Sequence, residues 1–144
     1  MQITRQAEYA VRTVYYLAQQ DSSVSIPTGR IAKEQDIPSP FLAKIVMQLS
    51  SVGILHTSRG ARGGVRLAKA PSDITLLEIV EAVDGPIEIN DCVLDKSCCQ
   101  RTETCPVRHA WTEARADLVK HLGRANFGQL VSDGHLPLPV DPEV

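Results

Sequence analysis

Residues 28–68 read TGRIAKEQDIPSPFLAKIVMQLSSVGILHTSRGARGGVRLA, and the architecture of the chain is set here. The stretch opens on Thr28, placed to cap a short helix that runs through Ile31, Ala32 and Lys33 to about Gln35. Asp36-Ile37-Pro38 breaks that helix, because proline lacks an amide hydrogen and its ring disfavours helical backbone in the residue before it. Ser39-Pro40 then starts a second helix, the hydroxyl accepting from an early backbone N–H and the proline fitting the first turn. Its apolar spacing carries it to about Val52, where Gly53 ends it. Leu42, Ile45, Leu49 and Val52 form the inward stripe and leave Pro40, Lys44, Met47, Gln48 and Ser51 outward. That outward face carries one charge where a solvated surface helix carries several, and Ser, Lys and Gln are side chains that meet phosphates and base edges. Two short helices across a tight turn are a helix-turn-helix candidate, with Thr28, Ser39, Pro40, Lys44 and Gln48 as its candidate DNA contacts.

The next residues extend the pattern. Ile54–Ser58 and Val65–Ala68 read as two short strands around the turn Arg59-Gly60-Ala61-Arg62-Gly63-Gly64. A β-hairpin placed directly after a helix-turn-helix is the wing of a winged helix. Arg59 and Arg62 at its tip are suited to a narrow minor groove or to phosphate. The glycines do not form a phosphate-binding P-loop, because no Gly-Lys-Ser/Thr follows them.

On the N-terminal side, Ile3, Ala7, Ala10, Val11, Val14, Leu17 and Ala18 recur at three- and four-residue spacings, which predicts a helix over 3–20. Val24-Ser25-Ile26-Pro27 reads as an extended link. Thr75-Leu76-Leu77-Glu78 matches a capping box, followed by an apolar face of Leu76, Ile79, Val80 and Val83 that Asp84-Gly85-Pro86 stops. Residues 87–105 lack periodicity and read as a loop. From Pro106 to about Arg124 a longer helix carries Val107, Trp111, Ala114, Leu118 and Leu122 as a narrow seam, the pattern of a helix that pairs with another copy. Leu136-Pro137-Leu138-Pro139-Val140-Asp141-Pro142 reads as a flexible tail. The expected fold class is therefore mainly α: a winged helix-turn-helix domain with a small β-hairpin wing over 1–85, a cysteine loop over 86–105, a dimerisation helix region over 106–131 and a tail over 132–144.

Composition narrows the function. With 43% hydrophobic and 22% charged residues in a chain of 144, no apolar run approaches the roughly 18 residues of a bilayer crossing. The start, Met1-Gln2-Ile3-Thr4-Arg5, leads into an amphipathic pattern and not into a secretory signal, so the expected setting is the cytoplasm, without membrane. The net charge of −2 conceals a split: residues 1–70 hold nine Lys and Arg against four acids, and the remainder six against thirteen. A basic half of this kind suits a polyanion such as duplex DNA.

All four cysteines, Cys92, Cys98, Cys99 and Cys105, fall within 14 residues. In a cytoplasmic chain such a cluster indicates metal binding or redox sensing before disulfides. Zinc knuckles use close Cys-x2-Cys or Cys-x4-Cys pairs, and no such pair exists here. Longer gaps suit a larger inorganic core, so an iron-sulfur cluster is favoured over zinc. Adjacent cysteines diverge along extended backbone, so one of Cys98 and Cys99 is expected to ligate with Cys92 and Cys105, leaving a fourth position for His109 or Glu8. A zinc-binding winged-helix regulator is the alternative. A thiol redox enzyme using Cys105 with His109 as base stands well behind it, since no Cys-x-x-Cys pair or second catalytic group is present, and the chain is expected not to be an enzyme.

Several of these stretches together carry a resemblance. Ile3-Thr4 with Tyr9-Ala10-Val11-Arg12, the Ser39-Pro40 helix with Leu49, Ser58-Arg59-Gly60 with Gly63-Gly64, Ala82-Val83-Asp84, and Cys105 followed by Trp111 resemble the iron-sulfur winged-helix repressor family that contains the cluster-biogenesis regulator IscR and the nitric-oxide sensor NsrR. The resemblance implies a homodimeric transcription regulator whose 2Fe-2S or 4Fe-4S cluster controls its grip on a double-stranded operator. It maps the family's first cysteine to Cys92 and its third to Cys105, and a common family spacing favours Cys99 over Cys98 as the second. The family's histidine ligand follows the third cysteine at a gap of two residues where His109 stands at three, whereas Glu8 matches the acidic ligand that other members recruit from the first helix.

Overall fold

A computed structural model describes residues 2–134, so the expected tail lies, from His135 onward, outside the described residues. Helix α1 spans Arg5–Ala18, with Thr4 as N-cap accepting from the Ala7 amide at 3.2 Å. Helices α2 (Thr28–Glu34) and α3 (Ser39–Ser51) follow, then strands β1 (Leu55–Ser58) and β2 (Gly64–Leu67). After a 3-10 turn at Pro71–Asp73 come α4 (Leu76–Asp84), the single turn α5 (Asp91–Leu94), a 3-10 turn at Lys96–Cys98, α6 (Pro106–Arg124) and α7 (Phe127–Ser132). This is the expected mainly helical winged-helix architecture.

The core is one cluster in which α1 contributes Ala10, Val14 and Leu17, α2 Ile31, α3 Leu42, Ile45, Val46 and Leu49, and the hairpin Leu55, Val65 and Leu67. The wing strands pair antiparallel in the register Leu55↔Leu67 to Ser58↔Gly64. A third chain segment joins them through a bridge between Ile26 and Val65, closed by amide–carbonyl bonds of 2.9 and 2.8 Å. Gly64 permits this close approach, because a Cβ there would collide with the Ile26 carbonyl. The link through Ile26 is thus a short sheet edge as well as the extended passage the sequence indicates.

Three local expectations are corrected. Thr28 and Ser39 do not cap their helices: Pro27 and Pro38 occupy the N-cap positions with extended backbone, which puts the two hydroxyls inside the first helical turn without a capping bond. On α3 the inward stripe is Leu42, Ile45, Val46 and Leu49; Val52 lies past the last turn and is 53% exposed. The cysteine segment is not a featureless loop, since it folds α5 and the 3-10 turn at Lys96–Cys98.

Helix α7 is an element that the apolar spacing does not foretell. Asn126 caps it by accepting from the Gln129 amide at 2.9 Å, and Phe127 at its start is fully buried in the core. Backbone bonds Leu76 N–H to Ala125 O (2.8 Å) and Phe127 N–H to Ile74 O (3.0 Å) clamp the α6–α7 junction to the entry of α4. The α6 helix has no buried residue of its own, although its apolar seam is present: Val107 is 59% and Trp111 41% exposed. Among the described residues no helix is long and apolar enough to cross a membrane.

Candidate nucleic-acid interface and cysteine loop

The four-residue turn from Gln35 to Pro38 sets α3 across α2, helped by Asp36 in the left-handed region at φ 51°. With its other face in the core, α3 presents Pro40, Lys44, Met47 and Ser51 to solvent, and Gln48 half-buried, as the sequence indicates. Arg59 and Arg62 stand exposed at the tip of the hairpin, which turns at Gly60 with φ 101°. None of Lys44, Arg59 and Arg62 forms a salt bridge with another described residue, so all three charges are available to phosphate. The free hydroxyls of Thr28 and Ser39 lie at the starts of α2 and α3, where unpaired helix amides also face outward.

One contact at this interface has no signal in the sequence pattern. Gln6, on the flank of α1, accepts from Lys44 Nζ at 3.2 Å and donates through Nε2 to Gln48 Oε1 at 2.5 Å. The first turn of α1 therefore touches two of the polar side chains on the outward face of α3, Lys44 and Gln48. The turn is held at its other side as well, because Thr4 donates its backbone N–H and its hydroxyl to the Asp84 carboxylate at the end of α4.

The cysteines follow from that same end of α4. All four are free thiols; Cys92 and Cys105 are half-buried, Cys98 and Cys99 exposed. Cys92 sits in α5 and Cys105 is the N-cap of α6. Partial loss of water and the negative charges of Cys92, Asp95, Cys99 and Asp91 hold the Cys98 thiol above its ordinary pKa. A cation beside Cys98 offsets the neighbouring negative charge that holds this thiol up. Soft sulfur donors on one segment fit an iron-sulfur cluster in kind. Among the described residues no three His, Cys, Asp or Glu side chains stand close enough to hold a single metal ion.

Two arginines missed in the sequence tie this segment down. Arg108 Nε donates to the Cys92 carbonyl at 2.8 Å and Arg115 Nε to the Ile87 carbonyl at 2.7 Å. Their seven-residue spacing, two turns on one face of α6, is the signal that could have found them. Thr102, buried within the loop, donates to the Cys99 carbonyl at 2.6 Å.

The two candidates for the fourth ligand occupy different places. His109 shares a cavity of about 430 Å³ with Cys105, Glu103 and Glu113, and its Nδ1 lies 3.5 Å from Glu113. Glu8 is paired with Arg5 at 3.1 Å and lines a mostly apolar cleft of about 670 Å³ with Val11, Tyr15, Leu76, Val80 and Leu122. Leu122 lies near the far end of α6, about 25 Å along the helix from Cys105. Within one chain His109 lines a cavity with a cysteine, whereas no cysteine lines the cleft in which Glu8 stands.

The chain has relatives among known proteins. The family model described as Rrf2, iron-dependent transcriptional regulator, matches residues 3–133. The HTH-type transcriptional regulator NsrR of Geobacillus kaustophilus (strain HTA426) is 31% identical over 134 residues, 92% of this chain and 91% of that protein. Among solved structures, T. potens IscR matches with a TM-score of 0.76 at 19% identity, covering 98% of this chain and 93% of that one. CymR (YrzC), the global cysteine regulator of B. subtilis, matches with a TM-score of 0.74 at 21% identity, covering 92% and 97%. At those identities the two structures bear on the fold.

Proposed function

The chain belongs to the Rrf2 family of transcriptional regulators, and on that basis we propose that it is a homodimeric repressor whose affinity for an operator is set by an iron-sulfur cluster held in the cysteine loop. Its relatives are regulators and not enzymes. A repressor of this kind works in the cytoplasm, where the chromosome lies. In this reading residues 1–85 grip DNA, 86–105 hold the cluster and 106–131 pair the protomers.

The observation that carries the proposal is the pair of bonds from Arg108 and Arg115 to the Cys92 and Ile87 carbonyls, because they fasten the thiol-bearing segment to α6. The other end of α6 is clamped into the DNA-reading domain through Ala125 and Phe127. A change in how Cys92, Cys105 and one of Cys98 and Cys99 are held therefore pulls on a helix continuous with that domain. When bound, the cluster supplies iron that reacts with nitric oxide or oxidants and whose presence depends on iron and sulfur supply. The seam of Val107, Trp111 and Ala114, exposed, continued by the half-buried Leu118 and Leu122, is the surface proposed to meet the same seam of a second copy. Glu8, whose own cleft holds no cysteine, is the proposed fourth ligand in the form of Glu8 from that second copy; His109 is its rival.

In the proposed complex two α3 helices enter successive major grooves with Lys44, Gln48 and Ser39 at base edges or phosphates. Pro40 and Thr28 lie at the flanking backbone, and Arg59 and Arg62 enter the minor groove or grip phosphate. The two states of the loop shift DNA affinity only insofar as they differ in how well they fit the operator spacing.

Protein purified without oxygen tests this. The expected preparation is brown, contains iron and acid-labile sulfide, and runs as a dimer by light scattering. Its operator affinity changes on cluster removal or exposure to nitric oxide, and Glu8→Ala but not His109→Ala alters the visible spectrum. Colourless protein with stoichiometric zinc overturns the cluster reading in favour of a zinc-binding regulator.

A further inference from the structure

We propose that Gln6 of α1 is a specificity-determining positioning residue, which locks the Gln48 amide so that α3 offers its NH2 group, and not its carbonyl, to the major groove. The proposal rests on the DNA-binding reading above and adds the base that the helix reads.

The order of orientations begins at Lys44, whose ammonium can only donate. Its Nζ lies 3.2 Å from Gln6, so the oxygen of the Gln6 amide must face it. A planar amide that turns its oxygen to Lys44 turns its NH2 the other way, and there it meets Gln48. Gln48 can receive that donor only through Oε1. Three side chains thus form a one-directional chain from Lys44 through Gln6 to Gln48, with each orientation forced by the one before it. The remaining Gln48 group, Nε2, makes no hydrogen bond to any described residue and carries two hydrogens.

A glutamine free to rotate pairs with adenine by donating to N7 and accepting from N6. With its oxygen turned to Gln6, Gln48 has its NH2 group on the opposite side of the amide, away from that contact. Guanine presents two adjacent acceptors in the major groove, N7 and O6, which match an NH2 group; the adenine N6 amine opposes it, as does the cytosine N4 amine. Thymine offers the single acceptor O4 beside its methyl group, so the inferred ligand at this position of each half-site is guanine, with its two acceptors.

The network can be inverted without a change of volume. Gln6→Glu retains an acceptor for Lys44 but has no hydrogen to give, so Gln48 turns its NH2 toward the new carboxylate and its carbonyl toward DNA. The preference then moves to bases that donate, adenine or cytosine.

The test is selection of duplexes from a library randomised over the half-site, using the full chain in its cluster-loaded and cluster-free forms. Wild type, Gln6→Glu, Gln6→Leu and Gln48→Ala are compared, with far-UV circular dichroism confirming equal folding. Gln48→Ala identifies the position by abolishing preference there. Wild type is expected to favour guanine over adenine at that position by about tenfold, Gln6→Glu to favour adenine or cytosine, and Gln6→Leu to show little preference. The same base preference in wild type and Gln6→Glu overturns the proposal, as does a Gln48→Ala variant with unchanged preference at every position. A wild-type chain that selects no duplex in either form overturns the DNA-binding reading itself, an outcome distinct from selective binding that ignores Gln6.

Discussion

Arg108 Nε donates to the Cys92 carbonyl at 2.8 Å, so the first turns of α6 hold the backbone of the segment that carries the thiols. A guanidinium bound to a carbonyl outlasts a neutral pair, and Arg115 repeats the arrangement two turns later at Ile87.

Arg108→Ala removes the tie at Cys92. Amide hydrogen exchange over residues 91–99 is expected to quicken by about tenfold while exchange in α1 and α3 stays as in wild type. Unchanged exchange across the segment means that Arg108 does not restrain it.

Phe127→Ala empties a fully buried position between α7 and the winged-helix core. The expected loss is about 3–5 kcal/mol in urea unfolding, since deleting a core aromatic forfeits both burial and packing. A loss below about 1 kcal/mol shows that α7 is a peripheral attachment.

Arg59→Ala takes one unpaired cation from each wing. Operator affinity measured by fluorescence anisotropy at several salt concentrations is expected to fall, and the slope of log K against log salt to shrink by about 0.9 for each phosphate that is no longer neutralised. An unchanged slope removes the wing from the interface.

Tyr16 and Glu34 provide a pH signature. The Tyr16 hydroxyl donates to Glu34 at 2.6 Å and Arg30 Nε at 2.8 Å, and these two bonds, in that order, hold the carboxyl below its ordinary pKa. A carboxyl depressed in the folded state contributes its full stabilisation above the unfolded pKa and loses it as pH falls through the folded one. Tyr16→Phe is therefore expected to lower the urea midpoint near pH ~6, with the gap from wild type narrowing toward pH ~3. A gap that does not change with pH assigns the effect to packing alone.

Much of this fold is legible in the residues themselves, for reasons that differ by element. Thr75 and Glu78 satisfy one another's backbone donors whatever surrounds them, and Pro106 starts α6 by its own ring geometry, so both boundaries stand where the local chemistry puts them. The hydroxyls of Thr28 and Ser39 mislead because a proline before each helix takes the capping position, a choice fixed by the chain's entry angle and not by the hydroxyl. Val46 and Val52 differ only in whether the helix persists long enough to turn them inward. Helix α7 has six residues, too few for a period to show, and it exists because Phe127 finds a place in a core assembled from much earlier parts of the chain. At the candidate site, Lys44, Gln48, Arg59 and Arg62 could be read from their helix face and turn, whereas Gln6 depends on how α1 crosses α3, which no local spacing encodes.

The clamp at Ala125 and Phe127 also governs how this protein can be taken apart. Because strand-like bonds knit residues 74–76 to 125–127, α6 and the winged-helix core are not cassettes joined by a hinge. A chimera that grafts α6 and the cysteine segment onto another winged helix must carry both of those stretches together, or it exchanges a stiff drive shaft for a loose rope.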